Sequence, residues 1–375
     1  MGTTSRTRQW ILAVGIAAYA LVFGEVFLRV MAPQAILPRF VTGTPLGIRG
    51  NIPNADYRQW TPETEVSIRI NGQGLRADRD FALAKPDGVC RIALLGDSYF
   101  LGFENDLEDS IAGRLEQRLE RAGHRVEVLN FAVSGFGTAE MLAQFDGRVR
   151  DFSPDVTVFQ FHASDFRDNV RTAVLFTEDA NGAFARSEAA YLPGVEIQDR
   201  LMELALYRWA IEHSHLYTAV RERAALLAKD LLFTLRRGSA TRDEDDAGDG
   251  AEAASAPPNL PAARLTGRLL RAAGERAEAA GSDWFVLEIP TVLSRTRFAS
   301  RASALDLDAS VRAHFVSALP TLERHADPDV KLFYEQGHRH MTPLGNALTA
   351  EALAQRILSD SAPRLARCRT VGEAP

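Results

Sequence analysis

RIALLGDSYFLG, from Arg91 to Gly102, is the stretch whose reading decides the fold. Ile92 to Leu95 form a short apolar run of the kind that makes a strand buried on both faces, and Gly96 permits a sharp turn as the chain leaves the sheet. Ser98 then stands at a strand's C-terminal end. In open α/β sheets the crevice beyond those ends is where ligands bind, so a serine there can meet a substrate.

Outward from that stretch the chain alternates. Asp109 or Ser110 can cap a helix whose Ile111, Leu115 and Leu119 share one face, with Gly123 closing it. A second strand follows at Val126 to Phe131, a second helix at Thr138 to Val149, and a third strand at Val156 to Phe161. A helix from Ala263 to Ala280 leads into a fourth strand at Trp284 to Ile289, and Val330 to Tyr334 reads as the fifth. Strands near 92, 126, 156, 284 and 330, alternating with helices, predict right-handed βαβ units. The fold class is therefore α/β: a flavodoxin-like three-layer sandwich with a five-stranded parallel sheet.

The N-terminal segment is of another kind. Residues 10–31 run WILAVGIAAYALVFGEVFLRVM after a short tail carrying Arg6 and Arg8. As a helix they extend roughly 33 Å, about one hydrocarbon thickness, so they predict a transmembrane signal anchor behind a cytoplasmic tail of residues 1–9. Glu25 and Arg29 share a helix face near one end, where they can pair and reach the interface. A cleaved signal peptide is the competing reading, since Ala18-Tyr19-Ala20 has the small-residue spacing of a cleavage site. Residues 32–86, rich in Pro, Gly and Asn, read as a mostly irregular juxtamembrane connector, with one strand at Val66 to Ile70 running into a tight turn. The main domain is expected over 87–365, interrupted by a helical insertion at 198–237 and a disordered acidic loop at 239–261, with a tail at 366–375.

Three further segments follow strand ends and should open onto the same crevice as Ser98: NFAVSGFGT at 130–138, FHASDFRDN at 161–169 and GHRHMTPLGN at 337–346. In order and spacing, Gly96-Asp97-Ser98, Ser134-Gly135 and His340-Met341-Thr342-Pro343-Leu344-Gly345 resemble blocks of the SGNH (GDSL) hydrolase superfamily. The resemblance covers roughly residues 65–356 and looks like the membrane-anchored bacterial branch. It implies Ser98 as nucleophile, His340 as base, and an oxyanion hole from the N–H groups of Ser98 and Gly135. Where the family has Asn-Asp, this chain has Ser164-Asp165, so a hydroxyl replaces the amide donor. Where the family places an aspartate two or three residues before the histidine, this chain has Gly337 and His338. Glu335 is the nearest upstream carboxylate and the candidate orienting acid.

The chemistry is coherent independently of the resemblance. A serine hydroxyl is a weak nucleophile until a base takes its proton, and the charge of a tetrahedral intermediate needs preorganised donors. The absence of a G-x-S-x-G elbow leaves the α/β-hydrolase arrangement without support. The resemblance implies a serine esterase acting on O-acyl, foremost O-acetyl, esters of carbohydrate or cell-envelope glycan. It also implies a bacterial inner-membrane location with the catalytic domain on the periplasmic side. Transfer of the acyl group to an envelope polysaccharide is one alternative; a degenerate binding or scaffold protein, motivated by positions 164 and 338, is the other.

Composition narrows the field further. With 375 residues, 46% hydrophobic and 25% charged, the chain can bury a full core. A net charge of −6 and the lack of a basic stripe speak against a nucleic-acid partner. His338-Arg339-His340 lacks a third zinc ligand, so no metal and no cofactor is implied. Asp97 and Asp165 read as turn-holding residues rather than catalytic acids, and His162 as a residue near the crevice. Two cysteines, Cys90 and Cys368, are too few for a disulfide scaffold, and the sequence leaves open whether they pair.

Overall fold

The computed structural model describes residues 3–179, 182–192, 194–221, 223 and 260–369. Its centre is a parallel sheet of five strands: β1 Cys90–Leu95, β2 Val126–Asn130, β3 Val156–Phe161, β4 Asp283–Glu288 and β5 Phe315–Ser317. Their spatial order is β5-β4-β3-β1-β2, with the reversal of direction at the β1/β3 boundary, the switch point of a flavodoxin-like sheet.

The apolar runs are apolar because both faces are covered. Ile92 and Leu94 point into one core with Val126, Val128, Val158 and Leu287; Ala93 and Leu95 point into the other with Leu129, Phe159 and Val286. Helices α3 (Ile111–Arg121) and α9 (Pro343–Asp360) line the first core through Leu115, Leu119, Leu353 and Ile357. On the opposite side α4 (Thr138–Gly147) and α8 (Leu260–Ala279) contribute Met141, Phe145, Leu269 and Leu270. Two short helices begin at strand ends, α2 (Ser98–Leu101) after β1 and α5 (Asp165–Thr172) after β3.

The fifth strand lies elsewhere than the sequence suggests. Phe315–Ser317 pairs with β4, whereas the apolar run at 330–334 is held only by an isolated bridge between Phe333 and Met341. Three residues beside an existing strand are too few to leave a periodic signal, while Leu332 and Phe333 are apolar because they pack in the core.

Residues 32–86 are not an irregular connector. Asp56–Trp60 pairs antiparallel with Glu65–Arg69, and Val41–Gly43 with Arg49–Asn51. Ile48, Ile68, Leu75 and Arg76 are fully buried or nearly so. The segment is part of the domain. At the other end of the chain, Cys368 is disulfide-bonded to Cys90 with a Cα–Cα distance of 5.6 Å, tying the start of β1 to the C-terminal turn across 278 residues.

N-terminally, α1 (Thr3–Met31) contains a 25-residue segment, Thr7–Met31, whose most apolar 18-residue window has a mean hydropathy of 2.2, long and apolar enough to cross a membrane. The insertion contains α6 (Val195–Met202) and α7 (Ala205–His213), followed by helical residues 215–221. Its remainder, nearly all of the acidic stretch and the last six residues of the tail lie outside the described residues.

Candidate active site

The turn after β1 is built to present one hydroxyl. A side chain at Gly96 would put its Cβ 2.5 Å from Gln160 Oε1 and 2.9 Å from the Phe100 ring, so only glycine fits between the two strands' ends. Gln160 Oε1 accepts the N–H groups of Asp97 and Phe100, each at 3.2 Å, and Asp97 Oδ1 caps α2 through Tyr99 N–H at 2.8 Å. Ser98 therefore leaves the sheet on a fixed turn.

His340 arrives from the loop before α9. Its Nε2 lies 2.7 Å from Ser98 Oγ, and its Nδ1 lies 3.2 Å from Oε2 of Glu104. A hydroxyl, an imidazole and a carboxylate thus form one line. The His340 side chain is 10% exposed and that of Glu104 is wholly buried, so water competes weakly for either.

The carboxylate in this line is Glu104, not Glu335. Glu335 is exposed and pairs with Arg295 at 2.5 Å, away from the ring. Glu104 is held from three directions. Its own N–H donates to Gln59 Oε1 at 2.9 Å, its Oε2 also accepts His340 N–H at 2.9 Å, and its Oε1 accepts His338 N–H at 3.0 Å. Burial alone would push this carboxyl up; the His340 ring, the His340 N–H and the His338 N–H outweigh it and hold it below the usual carboxylate range.

The histidine loop is shaped to admit that acid. Gly337 has φ +71°, and a Cβ there would stand 2.4 Å from Glu104 Oε1 and 2.9 Å from Thr61. A side chain at 337 would occupy the carboxylate's space. Glu104 itself has φ +63°, an uncommon conformation for a non-glycine residue, next to Asn105, whose Nδ2 donates to Met341 C=O at 2.8 Å. The hairpin at 56–69 closes the arrangement, with Gln59 bonded to Glu104 and Arg76 Nη2 donating to the Asn105 carbonyl at 3.1 Å.

Gly135 lies in the loop between β2 and α4. Among the described residues, neither its N–H nor that of Ser98 has a hydrogen-bond acceptor. Its carbonyl accepts Arg49 Nη2 at 2.7 Å, and Arg49 pairs with the buried Glu140 at 3.2 Å. Glu140 in turn accepts Gly137 N–H at 3.1 Å. Burial raises the Glu140 carboxyl to about 7 against the opposing pull of Arg49 and the Gly137 N–H. The loop is thereby pinned at Gly135 and at Gly137.

Ser164 precedes α5, and its Oγ lies 3.0 Å from His162 Nδ1. Asp165 is fully buried and accepts His162 N–H at 3.0 Å; burial, then the charge of Asp97, pushes its carboxyl well above the usual range. The Tyr99 ring lies 5.2 Å from that of His162 and 4.9 Å from that of His340. Among the described residues no group of three or more His, Cys, Asp or Glu side chains could hold a metal.

Sequence reading missed Glu104, Gln59 and the Arg49–Glu140 pair. One signal was available: an acid six residues after the serine, flanked by Phe103 and followed by a further apolar residue at Leu107.

No protein-family model matches the sequence, and no curated protein matches it. Among solved structures, the chain is similar to TesA at 12% identity, covering 71% of this chain and 97% of that one with a TM-score of 0.37. A member of the lipolytic protein G-D-S-L family from Veillonella parvula is 11% identical, with 72% and 99% covered and a TM-score of 0.32. A GDSL-like lipase from Bacteroides thetaiotaomicron is 13% identical, with 71% and 87% covered and a TM-score of 0.31. Likenesses this remote carry no argument about activity, which rests on the site itself.

Proposed function

We propose that this protein is a membrane-anchored serine esterase whose nucleophile is Ser98, whose base is His340 and whose orienting acid is Glu104. The observation that carries the reading is the unbroken relay from Ser98 Oγ through His340 to Glu104, at 2.7 and 3.2 Å. His340 Nε2 takes the Ser98 proton as Oγ attacks the ester carbonyl carbon. Glu104 accepts the hydrogen bond of Nδ1–H without taking its proton, fixes the tautomer that leaves Nε2 free to act, and stabilises the imidazolium. The oxyanion is held by the N–H groups of Ser98 and Gly135, with the Ser164 hydroxyl as the third, weaker donor. Collapse expels the alcohol, which receives the proton from His340. Water, deprotonated by the same histidine, then attacks the acyl-Ser98 and releases the carboxylic acid.

Of the two grounds for a scaffold, positions 164 and 338, the second weakens, because Glu104 stands where it can take the role of the acid missing before the histidine. The substrate class we assign is an O-acyl, foremost O-acetyl, ester of an envelope carbohydrate. An extracytoplasmic position for the domain is supported by two independent features. The span Thr7–Met31 precedes the domain, and the Cys90–Cys368 disulfide is of a kind that persists in oxidising compartments.

A fluorophosphonate probe and a panel of short acyl esters test the reaction. The full chain should label and turn over ester, and both Ser98→Ala and His340→Ala should lose about 10⁴-fold or more in kcat. A wild-type chain silent with the probe and with every ester would sink the reading. Adding an acceptor glycan distinguishes transfer, because only a transferase forms acylated sugar at the expense of free acid.

A further inference from the structure

The span and the insertion are joined, and the joint leaves an apolar face beside it. Glu25 of α1 accepts hydrogen bonds from Ser214 Oγ at 2.7 Å and from the N–H groups of His215 and Leu216 at 3.1 and 2.9 Å. Arg29 donates to Glu25 at 3.0 Å and to the His213 carbonyl at 2.7 Å. The C-terminal end of α7 is thus fixed at the level of Glu25 and Arg29. Met31 is about 9 Å farther along the helix axis than Glu25, so that level falls near the outer boundary of a roughly 30 Å hydrocarbon layer.

No free tether separates the span from the domain. Three residues after Met31, Gln34 N–H donates to His215 Nδ1 at 2.9 Å, and Ile36 pairs with Trp60. The height and tilt of the insertion follow from those of α1.

Along α7, Leu206, Trp209 and His213 are spaced three and four residues apart and form one stripe that ends at Arg29. Leu206 is 78% exposed and Trp209 52%, and Ile197 of α6 is 67% exposed. Large apolar side chains exposed together call for a covering phase. Arg200 and Arg208 lie among the acidic Glu196, Asp199, Glu203 and Glu212, so it is the exposed aromatic and aliphatic side of the stripe, not charge, that fits a membrane interface.

We infer that the α6–α7 hairpin is a second membrane contact: Leu206 and Trp209 enter the lipid interface at the level where α1 emerges, seating the domain in one orientation. This rests on reading α1 as a membrane span. Its consequence for the esterase is a catalytic crevice held at a fixed height and tilt relative to the bilayer.

The test uses the full chain in phosphatidylcholine and phosphatidylglycerol vesicles, with an environment-sensitive fluorophore at single introduced cysteines. The native cysteines are paired and do not compete for label. Val14→Cys reports the span, Leu206→Cys and Trp209→Cys report the hairpin, and Leu83→Cys, exposed on the domain, is the aqueous control. Nitroxide-bearing lipids should quench labels at 14, 206 and 209, with a blue shift at the last two, and leave the label at 83 bright. Quenching at 14 while 206 and 209 behave like 83 overturns the hairpin contact and leaves the anchor standing. Labels at 206 and 209 shielded from aqueous iodide yet untouched by lipid quenchers mean that protein covers the face, from residues 224–259 or from a second copy, and overturn it too. A label at 14 that escapes lipid quenching removes the anchor reading and this inference with it.

Discussion

The turn at 96–105 and the loop at 334–341 meet at the same site and contribute unequally. In the proposed relay the turn delivers both the nucleophile and the acid, six residues apart, whereas the loop delivers the base alone and has no side chain at Gly337, where one would meet Glu104. The two outer members of a relay thus come from one rigid turn, and the middle member is dropped between them by a segment more than 230 residues away. An acid on the loop would share the histidine's backbone and move with it. An acid on the turn instead fixes the loop, because Glu104 binds two of its N–H groups as well as the ring.

The largest effect in this comparison is expected from Glu104→Gln. If Glu104 orients His340, kcat falls by about 10²- to 10⁴-fold with the serine still present, measured on the best ester of the panel. Glu104→Asp keeps the charge but lacks a methylene of reach, and its kcat should fall between the two. Stability carries a second signature. The Glu104 carboxyl is lowered in the folded state, so the stability it contributes is present above the ordinary carboxylate range and is lost as pH falls through the depressed value. Chemical unfolding between pH 7 and pH 3 should therefore give a shallower acid limb for Glu104→Gln than for wild type. An unchanged kcat would return the orienting role to another group and break the comparison at its first term.

Gly337→Ala attacks the same contact from the loop side. The left-handed backbone alone costs an alanine about 1–2 kcal/mol, and the methyl would stand where Glu104 Oε1 lies. We expect a loss of about 2–4 kcal/mol in unfolding free energy, with a fall in kcat smaller than that of Glu104→Gln. A variant as stable and active as wild type would show that the loop can recede without disturbing the relay.

The difference between turn and loop also explains what was legible in the sequence. The sheet and Ser98 could be read because Ile92 to Leu95 are buried on both faces and because Gly96 marks the turn, two local signals. Glu104 was marked only by its place six residues after Ser98, since its role depends on a positive φ, on Gln59 from a hairpin that looks like linker, and on a partner 236 residues away. None of these leaves a periodic trace. Glu335, just upstream of His340, has proximity in sequence as its one qualification. The fifth strand went astray for a related reason: Leu332 and Phe333 are apolar for packing, and three residues at 315–317 pair without announcing it. The joint between Glu25 and Ser214 was partly visible, as a pair of charges in an apolar helix and as the Ser214 to Tyr217 segment that flanks the resemblance, but local signals did not show that the two meet.

The smallest effect is the one that sharpens the assignment. Glu335 is exposed, its carboxylate pairs with Arg295, and its own N–H is taken by Glu63 Oε2 at 2.7 Å. Exposed ion pairs of this kind contribute about 0–1 kcal/mol. Glu335→Gln should therefore leave kcat and KM unchanged and shift stability by less than about 1 kcal/mol. The pair Glu104→Gln and Glu335→Gln, assayed side by side, separates an acid that touches the imidazole from one that only neighbours it in sequence. Equal losses in the two variants would mean that the loop needs its own carboxylate after all, and that the relay drawn from the turn is incomplete.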